Sequence, residues 1–115
     1  MATQKLMPTT NLRFALKFPY SEEEKMLIFQ GFIPEQMEEK WFITFSDPIL
    51  SLYRSWTGYC IFQVTFKGND IVEVVVNQDP SQCEFIDRDQ SVYELRRIIQ
   101  KYLLTRSKRP YEPGG

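Results

Sequence analysis

The chain has 115 residues, of which 43% are hydrophobic and 25% are charged, and its formal net charge is −1. This size and composition are those of one globular domain, and they exclude a disordered chain, a collagen-like repeat and a disulfide-dense miniprotein. The sequence contains no histidine, so no mechanism can use an imidazole as a base, a proton shuttle or a metal ligand. The aromatic share, 15%, is the one high value.

The chain ends predict a soluble protein with short extensions. Residues 1–12 are polar, without the apolar core of a signal peptide, and we expect a loose lead-in to a single domain at residues 13–105. Residues 106–115 have no apolar period, which predicts a mobile tail. No apolar run approaches the roughly 20 residues that span a bilayer, so we expect a cytoplasmic protein with no membrane contact. Whether Cys60 and Cys83 are bridged or free stays open.

The first elements are a strand and a short helix. Residues 13–18 alternate between apolar and polar side chains, which predicts a half-buried strand. Ser21 and Glu24 have the spacing of a capping box, which predicts a helix that starts there and ends before Gly31. Residues 34–39 begin with a proline and are compatible with one or two further helical turns.

Four more strands follow. Residues 41–45, 50–56, 59–67 and 71–76 are rich in aromatic and β-branched side chains, and turn-forming residues separate them. Each connection is too short for a parallel crossover, so we expect antiparallel neighbours in a meander.

A second helix closes the domain. Ser91 and Glu94 match a capping box, and apolar residues recur behind them at helical spacing. The sequence therefore predicts an α+β fold, in which an antiparallel meander of four or five strands is packed by this amphipathic helix. The apolar positions are Val92, Leu95, Ile98, Ile99, Tyr102 and Leu103.

The most suggestive chemistry lies at residues 53–58, where a strand enters a turn. Arg54 offers a planar fork of donors for a carboxylate or a phosphate, Ser55 and Thr57 add hydroxyls, and Gly58 permits close backbone approach. Aromatic neighbours could stack on a ring of the ligand. The candidate ligand-binding residues are Trp41, Tyr53, Arg54, Ser55, Trp56 and Thr57. The structural alternative is that Trp56 belongs to the core and that Arg54 pairs with a carboxylate such as Glu39.

Other chemistry has weaker support. No acidic residue stands beside an activated nucleophile, which disfavours a hydrolase. The acidic residues at 79–89 fit no calcium loop and no zinc spacing is present, so we expect no metal and no cofactor. Residues 96–109 carry six cations and no acid, yet the sequence pI of about 5.5 disfavours nucleic acid as a partner.

The aromatic residues between positions 41 and 66 are too many for one sheet face under a single helix. Either the first helix covers part of the second face, or that face is an exposed aromatic surface for a partner or a ligand.

A set of short segments within residues 33–66 forms a recognisable pattern: Ile33-Pro34, Met37-Glu38, Lys40-Trp41-Phe42-Ile43, Leu52-Tyr53-Arg54-Ser55-Trp56-Thr57-Gly58 and Ile61-Phe62. This pattern resembles a family of small uncharacterised bacterial proteins, for which no activity can be carried over. In that family a histidine usually precedes the arginine, and Tyr53 occupies that place here. The resemblance implies that any imidazole chemistry of the family is missing from this chain.

Two functions remain as hypotheses. The leading one is a non-catalytic module that binds a protein or a small anionic ligand through the aromatic sheet surface and the turn at residues 54–58. The alternative is a small enzyme, or a pocket for a nucleotide-like or phosphorylated ligand, built on Arg54, Ser55, Trp56 and Thr57. A concave pocket with Arg54 at its wall would distinguish the alternative from a flat interaction surface.

Overall fold

A computed structural model describes residues 3–84 and 86–105, and it confirms the α+β class. The predicted tail at residues 106–115 lies outside this range. No helix in the described part is long and apolar enough to cross a membrane. The elements are β1 (Asn11–Pro19), α1 (Glu22–Phe29), β2 (Trp41–Ser46), β3 (Ile49–Arg54), β4 (Cys60–Lys67), β5 (Asp70–Asn77), α2 (Arg88–Ile98) and a π-helical continuation of α2 (Ile99–Leu104).

The five strands form one antiparallel sheet in the order β1-β5-β4-β3-β2. Strands β2 to β5 form the predicted meander. β1 lies outside it and pairs with β5, so the first strand occupies the edge opposite β2. Residues 20–40, which include α1, connect these two edges, and this length is enough to cross the sheet.

Both helices pack on the same face of the sheet. The ring of Phe29, in α1, stacks on Phe45 with centroids 3.7 Å apart, and Phe32 meets Tyr102 of the π-helix at 5.1 Å. The first helix therefore does not cover the second face. Aromatic rings of the sheet instead pack against both helical segments on one face. This explains much of the aromatic excess. The fully buried large side chains include Ile28, Ile43, Leu50, Leu52, Phe62, Val64, Ile71, Val74, Leu95, Ile98, Ile99 and Leu103.

The opposite face carries fewer rings. Phe42 and Tyr53 are cross-strand partners there, with centroids 6.0 Å apart, and both are half-buried. Polar neighbours from the same strands, such as Thr44 and Gln63, share this face.

Helix α1 begins as predicted, because Ser21 and Glu24 form the reciprocal capping box. Gly31 follows the helix with φ +70°, and its backbone lies close to the carbonyl of Ile43. The left-handed residue and this close approach both require glycine.

Two predicted boundaries are wrong. Helix α2 begins one turn earlier than Ser91, because Asp87 and Gln90 form its capping box and Ser91 donates instead to the Asp87 carbonyl from a buried position. Strand β3 stops at Arg54, two residues before its predicted end. Residues 34–39 form a single turn, within the one or two turns that the sequence allows, closed by the Glu39 backbone N–H donating to the Gln36 carbonyl.

Candidate ligand-binding cleft

A cleft of about 570 Å³ opens at one end of the helix-covered face. It lies where the ends of β2, β3 and β4 meet α2 and the connection at residues 78–87. This volume falls within the range of about 300–1,000 Å³ that is typical of small-molecule sites. The lining residues are Trp41, Arg54, Thr57, Ile61, Phe62, Gln82, Cys83, Glu84, Ile86, Glu94 and Ile98.

Arg54 is the last residue of β3, and its side chain is exposed where the buried stripe of that strand ends. It follows Leu50 and Leu52 at a spacing of two, so it faces the helices, and its cross-strand partner is Trp41. The guanidinium carbon of Arg54 lies 5.1 Å from the centroid of the Trp41 ring, within cation–π range. The stripe of core side chains thus ends in a cation and an indole at the wall of the cleft.

The backbone around Arg54 is held on both sides. Its N–H donates to the Tyr59 carbonyl at 2.9 Å, and its own carbonyl accepts from the Gly58 N–H at 2.8 Å. Gly58 has φ +80°, a conformation that glycine adopts without the steric penalty of a side chain. The turn therefore fixes the position from which the arginine side chain projects.

No carboxylate in the described part of the chain lies within ion-pair distance of the Arg54 guanidinium. Glu39, the partner considered from sequence, instead accepts hydrogen bonds from the backbone N–H groups of Glu35 (2.7 Å) and Gln36 (3.0 Å). Its carboxylate caps the turn at residues 34–39. The Arg54–Glu39 ion pair does not form.

The structure divides the sequence-predicted site. Trp41, Arg54 and Thr57 line the cleft together, whereas Ser55, Trp56 and Tyr53 do not line it. The contacts of these three side chains show where each one lies. The Ser55 hydroxyl is buried and donates to the Glu39 carbonyl at 2.9 Å. Trp56 is 63% exposed and its Nε1 donates to the Met37 carbonyl, while Tyr53 lies on the opposite face of the sheet.

The far wall of the cleft, at residues 82–84 and 86, was not predicted. Its position depends on Asn77, whose side chain is fully buried. Asn77 Nδ2 donates to the Cys60 carbonyl and to Gln82 Oε1, each at 2.8 Å, and its Oδ1 accepts from the Asp79 N–H at 2.8 Å. One side chain thus ties the end of β5 to both β4 and the cleft-lining connection. A polar residue at the end of an apolar strand is the sequence signal that could have identified it.

Charges in the cleft are of both signs. Glu94 is paired with Arg97 at 2.8 Å, and Glu84 is exposed with no ion pair to a described residue. Burial raises the pKa of the Cys83 thiol and the Asp79 carboxylate raises it further, whereas Arg54 acts in the opposite direction. The Cys83 thiol donates to the Asn77 carbonyl at 3.3 Å. It is therefore held protonated rather than activated as a nucleophile.

Among residues 3–84 and 86–105, no group of three or more Cys, Asp or Glu side chains is placed to hold a metal ion. Comparison with known proteins adds no assignment: no protein-family profile, curated protein or solved structure matches the chain. The resemblance of residues 33–66 to small bacterial proteins stays a prediction.

Proposed function

We propose that this protein is a non-catalytic binding module, and that its cleft holds a small ligand with an apolar body and an oxyanion. The observation that carries the proposal is Arg54, which lines the cleft and has no carboxylate partner among the described residues. A cation left unpaired at an apolar cavity is a specific donor for an incoming anion.

The chemistry of the wall supports a ring-bearing ligand. The Arg54 guanidinium lies over the Trp41 ring, and no described residue accepts a hydrogen bond from it, so its fork of N–H donors is available to a ligand. Trp41, Phe62 and Ile98 supply apolar surface beside it. A carboxylate or a phosphate on a flat apolar body would use both features.

The position of the aromatic side chains favours this cleft over a flat protein-binding surface. Phe45, Phe62 and Phe66 are packed with the helices, so the exposed aromatic surface considered from sequence is small. The nucleotide alternative loses the support of Ser55 and Trp56, which are hydrogen-bonded outside the cleft.

The cleft's nucleophiles support binding rather than catalysis. The Cys83 thiol has a raised pKa, and the Glu94 carboxylate is paired with Arg97. Glu84 has no ion pair to a described residue, but the Cys83 thiol donates to the Asn77 carbonyl rather than to this carboxylate. A covalent mechanism would need a depressed thiol pKa or a free base beside the nucleophile. We also retain, from the sequence, the proposal that the protein works in a bacterial cytoplasm.

The test uses Trp41 as a reporter. The chain has two tryptophans, so the W56F variant leaves Trp41, which is 8% exposed, as the only indole. Its emission is titrated with phenyl phosphate, benzoate and adenosine monophosphate, and with the neutral analogues benzyl alcohol and adenosine. We expect saturable changes with at least one anion, and binding of its neutral analogue weaker by about tenfold or more.

The matched control is R13Q. Arg13 is also a strand arginine, but it pairs with Glu73 at 2.7 Å on the opposite face. R54Q should abolish the preference for anions and R13Q should preserve it. Equal binding of charged and neutral analogues, or no saturable response in a folded W56F protein, would contradict the proposal.

A further inference from the structure

A second cavity, of about 610 Å³, lies on the other side of α2 and shares no lining residue with the cleft. The end of β1, the start of α1 and the last turns of the α2 segment enclose it. We refer to it as the Tyr20 groove. Its lining residues are Phe18, Pro19, Tyr20, Glu24, Tyr93, Arg96, Arg97, Gln100 and Leu104.

Arg96 supplies the positive charge of the Tyr20 groove. Its guanidinium carbon lies 4.3 Å from the centroid of the Phe18 ring, and no described carboxylate is within ion-pair distance. A guanidinium that stacks on an aromatic ring uses one flat face for that contact, and the N–H groups at its edge stay available. Arg97 differs, because its charge is neutralised by Glu94.

Tyr20 supplies an unused hydroxyl. Burial raises the pKa of its phenol to about 12, so the group is a protonated donor at neutral pH. No residue in the described ranges forms a hydrogen bond with that hydroxyl. Because Tyr20 lines the groove, this donor is available to an acceptor on a ligand.

Glu24 limits the charge that the groove accepts. Its Oε1 is already bonded to the Ser21 N–H in the capping box, at 2.9 Å. The carboxylate is nevertheless close enough to raise the pKa of Tyr20 electrostatically. One unpaired guanidinium beside one carboxylate favours an anion with a single charge and penalises a dianion.

We propose that the Tyr20 groove binds the carboxylate of a small organic acid, held by Arg96 and the Tyr20 hydroxyl. The two carboxylate oxygens match the paired N–H groups of the guanidinium, and one oxygen accepts from the phenol. Tyr93 is 67% exposed at the groove and offers a ring on which a flat apolar body can lie. The site is separate from the Arg54 cleft and does not depend on it.

The experiment follows amide and arginine side-chain N–H resonances by NMR during titration with benzoate, benzamide and phenyl phosphate at pH 8. We expect saturable shifts at the Tyr20 groove with benzoate, and weaker binding of the neutral amide and of the dianion. R96Q should weaken benzoate binding at this groove by about tenfold or more, and Y20F by a smaller factor. R96K, which keeps the charge but loses the planar fork, should weaken it as well.

Arg88 provides the matched control. It lies on the same helix and also stacks on a β1 ring, with its guanidinium carbon 4.9 Å from the Phe14 centroid, but it does not line the groove. R88Q and R54Q should leave benzoate binding at the groove unchanged, which separates this site from the cleft. Folding of each variant is checked by its amide dispersion. Affinity within twofold of wild type in folded R96Q and R96K, or equal binding of benzamide, would overturn the assignment, and tighter binding of phenyl phosphate would contradict the single-charge requirement.

Discussion

Asn77 should be the polar side chain on which the shape of the cleft most depends. It is fully buried, and it joins β4, β5 and the connection to α2 through three side-chain hydrogen bonds of 2.8 Å. The N77A variant removes all three bonds. It also leaves the Cys60 carbonyl without this donor in the interior.

The magnitude follows from the bonds that are lost. A protein hydrogen bond contributes about 1 kcal/mol net to stability, so three of them amount to about 3 kcal/mol. For a domain of this size, each kcal/mol lowers Tm by roughly 4 °C, and N77A should therefore melt about 12 °C below wild type. N77L, which keeps the branched shape but is larger and makes no hydrogen bond, should lose at least as much.

The assay is urea unfolding followed by circular dichroism, with thermal melting as a second measure. Q78A is the control, because the neighbouring Gln78 makes a single side-chain bond, to the Ile86 carbonyl at 3.2 Å, and its loss should cost about 1 kcal/mol. If N77A costs no more than Q78A, Asn77 does not hold the connection, and the account of how the far wall is positioned is wrong.

Three further outcomes follow from the same structure. G31A should lower the free energy of unfolding in urea by more than about 2 kcal/mol, because its Cβ would lie 2.4 Å from the Ile43 carbonyl oxygen and the residue has φ +70°. G68A, at φ +62° with open space around it, should lower it by only about 1 kcal/mol. Equal losses in the two variants would argue against the close approach at Gly31. Tyrosinate absorbance at 295 nm should show a step near pH 12, and Y20F should remove that step. Because the folded pKa of Tyr20 is about 12 against 10 in the unfolded chain, its contribution to stability is complete below pH 10 and is lost as the pH rises through 12. Burial raises the pKa of Cys60 to about 12, so iodoacetamide at pH 8 should leave this thiol unmodified in the native protein and alkylate it in urea; rapid native labelling would contradict its burial.

Local patterns in the sequence predicted most elements, because their causes are local. The alternation at residues 13–18 reflects one buried face of a strand, and the Ser21–Glu24 capping box forms as its spacing predicts. The start of α2 was missed because two capping boxes occur four residues apart, at Asp87–Gln90 and Ser91–Glu94. The earlier box adds one helical turn, and the hydroxyl of Ser91 is satisfied inside that helix.

The placement of β1 beside β5 could not be read from neighbouring segments. Short connections indicate which consecutive strands pair, but residues 20–40 are long enough to lead to either edge of the sheet. The edge is selected by long-range packing of α1 and the π-helix on a shared face.

The site was half predicted. Arg54 and Thr57 were identified from the composition of their turn, and Trp41 from its aromatic character. The opposite wall, with Gln82, Cys83 and Glu84, arises when a distant connection docks on that turn, which no local pattern encodes. A usable signal was present: Arg54 follows Leu50 and Leu52 at a spacing of two, which places a cation where the core-facing side of β3 reaches solvent.

The central claim, that Arg54 binds the charge of a ligand in the cleft, is tested most directly by a thermodynamic cycle. Calorimetric titration measures the affinity of wild type and R54Q for an anionic ligand found with the Trp41 reporter and for its neutral analogue. The account predicts that R54Q lowers the affinity for the anionic ligand by about tenfold or more, which is about 1.4 kcal/mol, and changes the affinity for the neutral analogue little. An equal effect of R54Q on both ligands, within a factor of two, would contradict it.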